Sequence, residues 1–166
     1  PDAAPAPRPR TVVIDEQVRS VITRVDSPDL GFEHSINPYR GCEHGCSYCY
    51  ARPTHSYLGL SPGLDFETRI IAKRNIATVL RAELLAPGYA PRALNVGSAT
   101  DAYQPIERDL RLTRSVIELL AASRHPFSLI TKGSGVERDL DLIAPAAARG
   151  GAAVYVTITT LDAALA

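Results

Sequence analysis

From Ala93 onward the chain repeats one pattern: a short apolar run, a polar loop, then an amphipathic stretch at helical spacing. Ala93 to Gly97 and Phe127 to Thr131 read as strands, and Ala153 to Ile158 as a continuous apolar one. Between the first two, a helix running to about Ser123 buries Leu112, Val116, Leu119 and Leu120. Between the last two, a helix over Val136 to Ala148 presents Val136, Leu140, Ile143 and Ala147. Strands apolar on both faces and joined by such helices call for a parallel sheet with right-handed crossovers, hence an α/β fold. With the strand-like Phe32 to Asn37, ended by Pro38, there are four core strands. An eight-stranded barrel takes roughly 250 residues, so an open doubly wound sheet and about half of a barrel both fit.

The rest of the chain leads into this core. Residues 1 to 10 hold four prolines and read as a disordered, polyproline-like arm. Residues 11 to 31 form an N-terminal extension, mostly β-branched over Thr11 to Val25 and turned at Ser27-Pro28-Asp29. After an extended Arg69 to Lys73, Asn75 stands as N-cap of a helix with Ile76, Val79, Leu80 and Leu84 on one face, stopped by Pro87-Gly88. Residues 32 to 166 are read as the core domain. The lack of methionine and the helix beginning over Thr160 to Ala166 are what a piece of a longer chain would show.

At 166 residues, 45% hydrophobic and 22% charged, the composition is that of a globular domain. No apolar run reaches the ~18 residues of a spanning helix, and the proline-rich start is no signal-peptide core, so a cytoplasmic location without membrane is expected. Eighteen basic residues balance eighteen acidic ones, which gives no support to wholesale binding of nucleic acid.

All three cysteines, Cys42, Cys46 and Cys49, fall within eight residues as C-x3-C-x2-C. An odd number so closely spaced makes no disulfide framework but suits a metal. The segment follows the first core strand, and loops after parallel strands line the functional face of such folds. Three thiolates on a four-iron, four-sulfur (4Fe-4S) cluster leave one iron open to substrate or cofactor. A zinc knuckle recruiting His44 or His55 is the competing arrangement; His44 lies awkwardly between two cysteines, and no second ligand pair occurs downstream.

With an aromatic just before the third cysteine, the motif resembles the signature of the radical S-adenosylmethionine (radical SAM) enzymes. The flanks Ile36-Asn37-Pro38-Tyr39-Arg40-Gly41 and Tyr50-Ala51-Arg52-Pro53-Thr54-His55 are similar to the branch related to spore photoproduct lyase. The resemblance covers about Val21 to the C-terminus. It implies a partial (βα)6 TIM-like barrel, of which this chain holds the N-terminal part, about four βα units. It also implies that Cys42, Cys46 and Cys49 hold the cluster while S-adenosylmethionine chelates the open iron. An electron from the cluster then cleaves the cofactor to a 5'-deoxyadenosyl radical, which abstracts hydrogen from the substrate. Implied partners are S-adenosylmethionine and a reductant such as flavodoxin or ferredoxin. By the same resemblance Tyr48 packs near cluster and adenine, Gly97, Ser98 and Thr100 contact the methionyl moiety, and Lys132 and Thr157 contact its carboxylate.

Asn95 to Glu107 is a dense polar loop after a buried strand, where substrate or cofactor contacts are expected. Asp101 and Tyr103 are the candidate catalytic residues, and Gln104 and Glu107 candidate orienting groups. The plainer alternatives are that Asp101 turns the loop, Glu107 complements a helix N-terminus, Lys132 is a solvated lysine and Thr157 serves strand propensity. Gly133-Ser134-Gly135 lacks the lysine spacing of a phosphate loop. Members of the resembled branch often carry an asparagine at Ala99 and a proline at Ala102. Spore photoproduct lyases also use a further cysteine as hydrogen-atom donor, whereas every cysteine here is committed. Tyr103 substitutes, the donor lies outside this segment, or the reaction differs. A DNA lesion is the substrate the branch suggests. The competing function is a non-catalytic zinc or iron-sulfur module acting in nucleic-acid or protein interaction.

Overall fold

The computed structural model describes residues 10–162. The proline-rich arm, Arg10 aside, and the end of the Thr160 to Ala166 stretch beyond Asp162 lie outside the described residues. The fold is mixed α/β, with two sheets. In the larger, β3 (His34–Ile36), β6 (Leu94–Val96), β7 (Phe127–Thr131) and β8 (Ala152–Val156) run parallel in that order, and β2 (Thr23–Arg24) pairs antiparallel to β3. These are the four core strands of the repeat. Arg69–Lys73 does not join them. As β5 it sits between β1 (Val12–Glu16), parallel, and β4 (Tyr39–Arg40), antiparallel, in a three-stranded sheet. The N-terminal extension thus adds one strand to each sheet.

Apolar alternation drives Leu94, Val96, Phe127 and Leu129 toward the helices α2 (Ile76–Leu84), α4 (Leu112–Ala122) and α5 (Leu140–Ala148), where they form one core with Ile76, Leu80, Val116, Ile117, Leu120 and Ile143. Asn75 precedes α2, but its side chain makes no cap. It instead grips Val18, donating from Nδ2 to the carbonyl at 2.8 Å and accepting from the N–H at 2.9 Å. This ties the extension to the core beside the buried Val21.

Three local expectations are corrected. The helix expected over Val136 to Ala148 begins as a 3-10 helix, Ser134–Asp139, and becomes α5 only at Leu140. The tighter turn changes the phase, so Ala146 is buried while Leu140 and Ala147 face solvent. The helix reaching Ser123 is two, since α3 (Glu107–Leu110) is separated from α4 by the left-handed Arg111. Third, β8 begins at Ala152 and ends at Val156 rather than running from Ala153 to Ile158, and it is the last strand of the larger sheet among the described residues.

Candidate functional site

At the C-terminal ends of β3, β6 and β7 a small cavity opens to solvent. Cys42, Cys46 and Cys49 all line it, facing Gly97 to Asp101 of the loop after β6 and Lys132 after β7. Phe66, Ala51, Ala99 and Ile130 supply its apolar wall, and Tyr50 and His44 its rim. Phe66 comes from α1 (Leu64–Thr68) and Ala51 from the start of the 3-10 helix Arg52–Leu58.

The cysteine loop is held at both limbs. At the first, Gly41 adopts φ +83°, and a Cβ there would stand 2.8 Å from the Phe66 carbonyl and 2.9 Å from the His55 ring. Only glycine fits without strain. The Gly41 carbonyl accepts from Thr100 Oγ1 at 2.6 Å and Gln104 Nε2 at 3.3 Å, and Cys42 N–H donates to Phe66 at 2.8 Å. Glu43 N–H donates to Gln104 Oε1, while the Glu43 carboxylate accepts from Thr11 Oγ1 and Ile106 N–H. At the second limb the Arg52 guanidinium donates to the carbonyls of Gly45, Cys46 and Gly63, pairs with Glu67, and lies over the Phe66 ring. A guanidinium fork suits this work because several carbonyls converge on one planar group.

Cys42 is 8% exposed, and burial pushes its thiol up to about 11. Such a thiol stays neutral by itself and gives up its proton to a metal centre. Three thiols lining one cavity are the donor type that a thiophilic metal or an iron-sulfur group takes. Among the described residues no three or more His, Cys, Asp or Glu side chains are gathered tightly enough to hold one metal ion.

Of the expected site residues, Gly97, Ser98, Thr100, Asp101 and Lys132 line the same cavity as the three cysteines. The Asp101 oxygens are already engaged by Thr131 Oγ1 (2.6 Å), Tyr103 N–H (2.8 Å) and Lys132 N–H (2.8 Å), with His44 Nε2 3.6 Å away. Burial opposes ionisation of Asp101, but the nearby His44 imidazole and the hydrogen bonds from Thr131 Oγ1 and these N–H groups outweigh it and hold the carboxyl below its usual range. Asp101 therefore turns its loop as well as facing the cavity.

Three residues stand outside. Tyr48 is 65% exposed and does not line the cavity. Thr157 lies beyond the end of the edge strand, exposed, and only its N–H is bound, to the Thr131 carbonyl. Tyr103 is buried and turned to Asp139, to which its hydroxyl donates at 2.9 Å beneath the Arg138 guanidinium. Gln104 serves the cysteine loop from inside. Glu107 is buried, receives the Tyr39 hydroxyl and Arg138, and accepts from Thr113 and Arg114 N–H at the start of α4, which is the helix-complementing role. No site role follows from the sequence for Tyr50, whose hydroxyl reaches across the rim to the Ser98 carbonyl, for Arg52 or for Phe66. The place of Tyr50 and Arg52 in the flank just after Cys49 is the signal the sequence offers.

The fold and cavity define a mixed α/β protein with a thiol-lined cavity at the carboxyl ends of parallel strands. No protein-family model and no solved structure matches the chain. It is similar to uncharacterized proteins of Mycobacterium bovis and Mycobacterium tuberculosis, at 43% identity over 145 residues, covering 87% of this chain and 43% of each relative. An uncharacterized protein of Methanocaldococcus jannaschii is 30% identical over 112 residues, 68% of this chain and 40% of that protein. The chain thus spans less than half the length of these curated relatives.

Proposed function

We propose that this chain is the N-terminal part of a radical SAM enzyme related to the spore photoproduct lyase branch, its parallel strands beginning a partial (βα)6 barrel. The observation that carries the reading is the meeting of Cys42, Cys46 and Cys49 in one cavity with the loop after β6 and with Lys132. Three thiols around one cavity suit a 4Fe-4S cluster, in which each ligated iron takes one thiolate. When bound, the cluster and S-adenosylmethionine supply a one-electron cleavage that yields a 5'-deoxyadenosyl radical.

The chain's own residues bind and shield. Gln104, Thr100 and Arg52 fix the loop that carries the thiolates. Lys132 provides the positive charge for a methionyl carboxylate, and Gly97, Ser98 and Asp101 border the space for its amino group. Phe66, Ala51 and Ile130 exclude water, and Tyr50 closes the rim toward Ser98. Flavodoxin or ferredoxin serves as reductant in a cytoplasmic setting; among the described residues no helix is long and apolar enough to cross a membrane. The substrate, for which a DNA lesion is one candidate, is left to experiment.

The test is anaerobic reconstitution with iron and sulfide, reduction by dithionite, and chromatographic assay of 5'-deoxyadenosine from S-adenosylmethionine. Formation that is lost in Cys42→Ala, Cys46→Ala and Cys49→Ala supports the proposal. Stoichiometric zinc with no deoxyadenosine overturns it in favour of a non-catalytic metal module.

A further inference from the structure

The loop after β6 joins two parts of the thiol cavity that are far apart in sequence. On one side Thr100 Oγ1 and Gln104 Nε2 donate to the Gly41 carbonyl, which fastens the loop to the cysteine segment. Between these two residues stands Asp101, whose side chain turns the other way, to the end of β7. Its Oδ1 accepts from Thr131 Oγ1 at 2.6 Å and from Tyr103 N–H at 2.8 Å, and its Oδ2 accepts from Lys132 N–H at 2.8 Å. The spacing between the thiols and Lys132 is therefore set through this loop.

Two further contacts lock the end of β7 in the same place. Thr131 Oγ1, while donating to Asp101, accepts from Gly133 N–H at 2.9 Å. A Cβ at Gly133 would stand 3.0 Å from the Tyr103 carbonyl, so glycine lets the turn after Lys132 pack against the loop after β6. Asp101 itself has little left to offer a ligand. A carboxylate has about four lone-pair sites; Thr131, Tyr103 and Lys132 take three of them, and His44 Nε2 of the cysteine loop stands 3.6 Å from Oδ2. The group is spent on holding one protein segment to another.

We propose that Asp101 is a positioning residue rather than a reacting group: it tethers the Lys132 backbone to the loop that holds the cysteine segment, and so sets where the Lys132 ammonium meets the carboxylate of S-adenosylmethionine. The use made of Lys132 rests on the function proposed above; the tether on its backbone does not. Asp101→Asn exchanges one carboxylate oxygen for an NH2 group. Either way round, that group confronts a backbone N–H, of Tyr103 or of Lys132, so one donor loses its acceptor and the end of β7 shifts.

The test is a double-mutant cycle on the full-length protein, reconstituted anaerobically, with S-adenosylmethionine affinity read by equilibrium dialysis. Asp101→Asn and Lys132→Met are each expected to weaken binding about tenfold at unchanged iron content, and the double variant no further than either alone. Effects that multiply to about a hundredfold would mean that Asp101 touches the cofactor itself, and loss of iron from Asp101→Asn would make it a support of the cysteine loop; either overturns the proposal. Thr131→Val is the milder variant, expected to weaken binding about threefold and to add nothing to Lys132→Met, and it decides in the same way if Asp101→Asn does not fold. The tether is read apart from the cofactor by NMR of the 15N-labelled, iron-free protein. The Lys132 amide proton, bound to a carboxylate, should lie downfield and exchange slowly, and both Asp101→Asn and Thr131→Val should move it upfield. An amide that does not move overturns the tether and leaves the proposed function standing. An amide that moves in a protein that binds no S-adenosylmethionine keeps the tether and rejects the proposed function, and with it the use made of Lys132.

Discussion

Replacing Gly41 by alanine tests whether the cysteine loop is held as tightly as its contacts imply. Two costs arise. The backbone at φ +83° is one that an L-residue adopts at a cost of about 1–2 kcal/mol. The added Cβ also meets the Phe66 carbonyl at 2.8 Å and His55 Cε1 at 2.9 Å, and neither can retreat freely. The carbonyl belongs to the backbone and accepts from Cys42 N–H, and the His55 ring is buried with its Nε2 3.0 Å from the Arg69 carbonyl. Overpacking of this kind adds about 1–3 kcal/mol, for a total of about 2–5 kcal/mol. Gly59 provides the control, since at φ +68° it shares the backbone strain but a Cβ there meets nothing within 4 Å. Gly59→Ala should cost only about 1–2 kcal/mol. In urea, with a slope of about 2 kcal/mol per molar, the midpoint falls by about 1–2.5 M for Gly41→Ala and by about 0.5–1 M for the control. Equal shifts for the two variants would refute the steric argument, and with it the claim that the Gly41–Cys42 limb is built against Phe66 and His55.

Other expectations follow from the charged core and the loop clamp. Asp139 is fully buried, and although burial opposes its ionisation, Arg138, Arg114 and Tyr103 hold its carboxyl below the usual range. Its contribution is present above the unfolded pKa of ~3.9 and is lost as pH falls through the lower folded value. Asp139→Asn should cost about 3 kcal/mol at pH 7 and flatten the acid limb of the urea-midpoint profile below about pH 4; an unchanged limb would contradict this. Burial and the neighbouring Arg40 lower Lys73 to about 8, against some opposition from Glu16. The unfolded chain then keeps a proton, up to ~10.4, that the folded one has released, so stability rises between pH 8 and pH 10. Lys73→Met is expected to stabilise by about 1 kcal/mol at pH 7, and a lower urea midpoint would count against it. Arg52→Lys keeps the charge but loses the fork that binds Gly45 and Cys46; reconstituted iron should be lost to a chelator about tenfold more readily, whereas unaltered retention would show that the clamp is dispensable.

The parallel strands were legible because burial on one or both faces leaves a dense apolar run between turn residues, as at Phe127–Thr131. The phase of a helix is harder to read when its start is a 3-10 turn, so the apolar spacing points Leu140 and Ala147 inward although both face solvent. Thr157 follows the last described strand, and which groups come to face a residue there depends on what pairs beyond β8, which a local apolar run does not encode. Within the site, the cysteines, Gly97 to Asp101 and Lys132 follow from their positions after strands. Tyr103 and Gln104 belong to the same polar loop, but their direction is set by partners distant in sequence, Asp139 for one and Gly41 for the other. Local pattern marks a loop as functional without telling which side chains face outward and which brace it from within.

The central claim is that Cys42, Cys46 and Cys49 together hold an iron-sulfur cluster with one iron open to S-adenosylmethionine. Electron paramagnetic resonance of the reduced, reconstituted chain, with metal analysis on the same sample, tests it most directly. The account predicts about four irons per chain and a cluster signal that changes shape when S-adenosylmethionine is added. One zinc per chain and no paramagnetic signal, or a cluster indifferent to the cofactor, would contradict it.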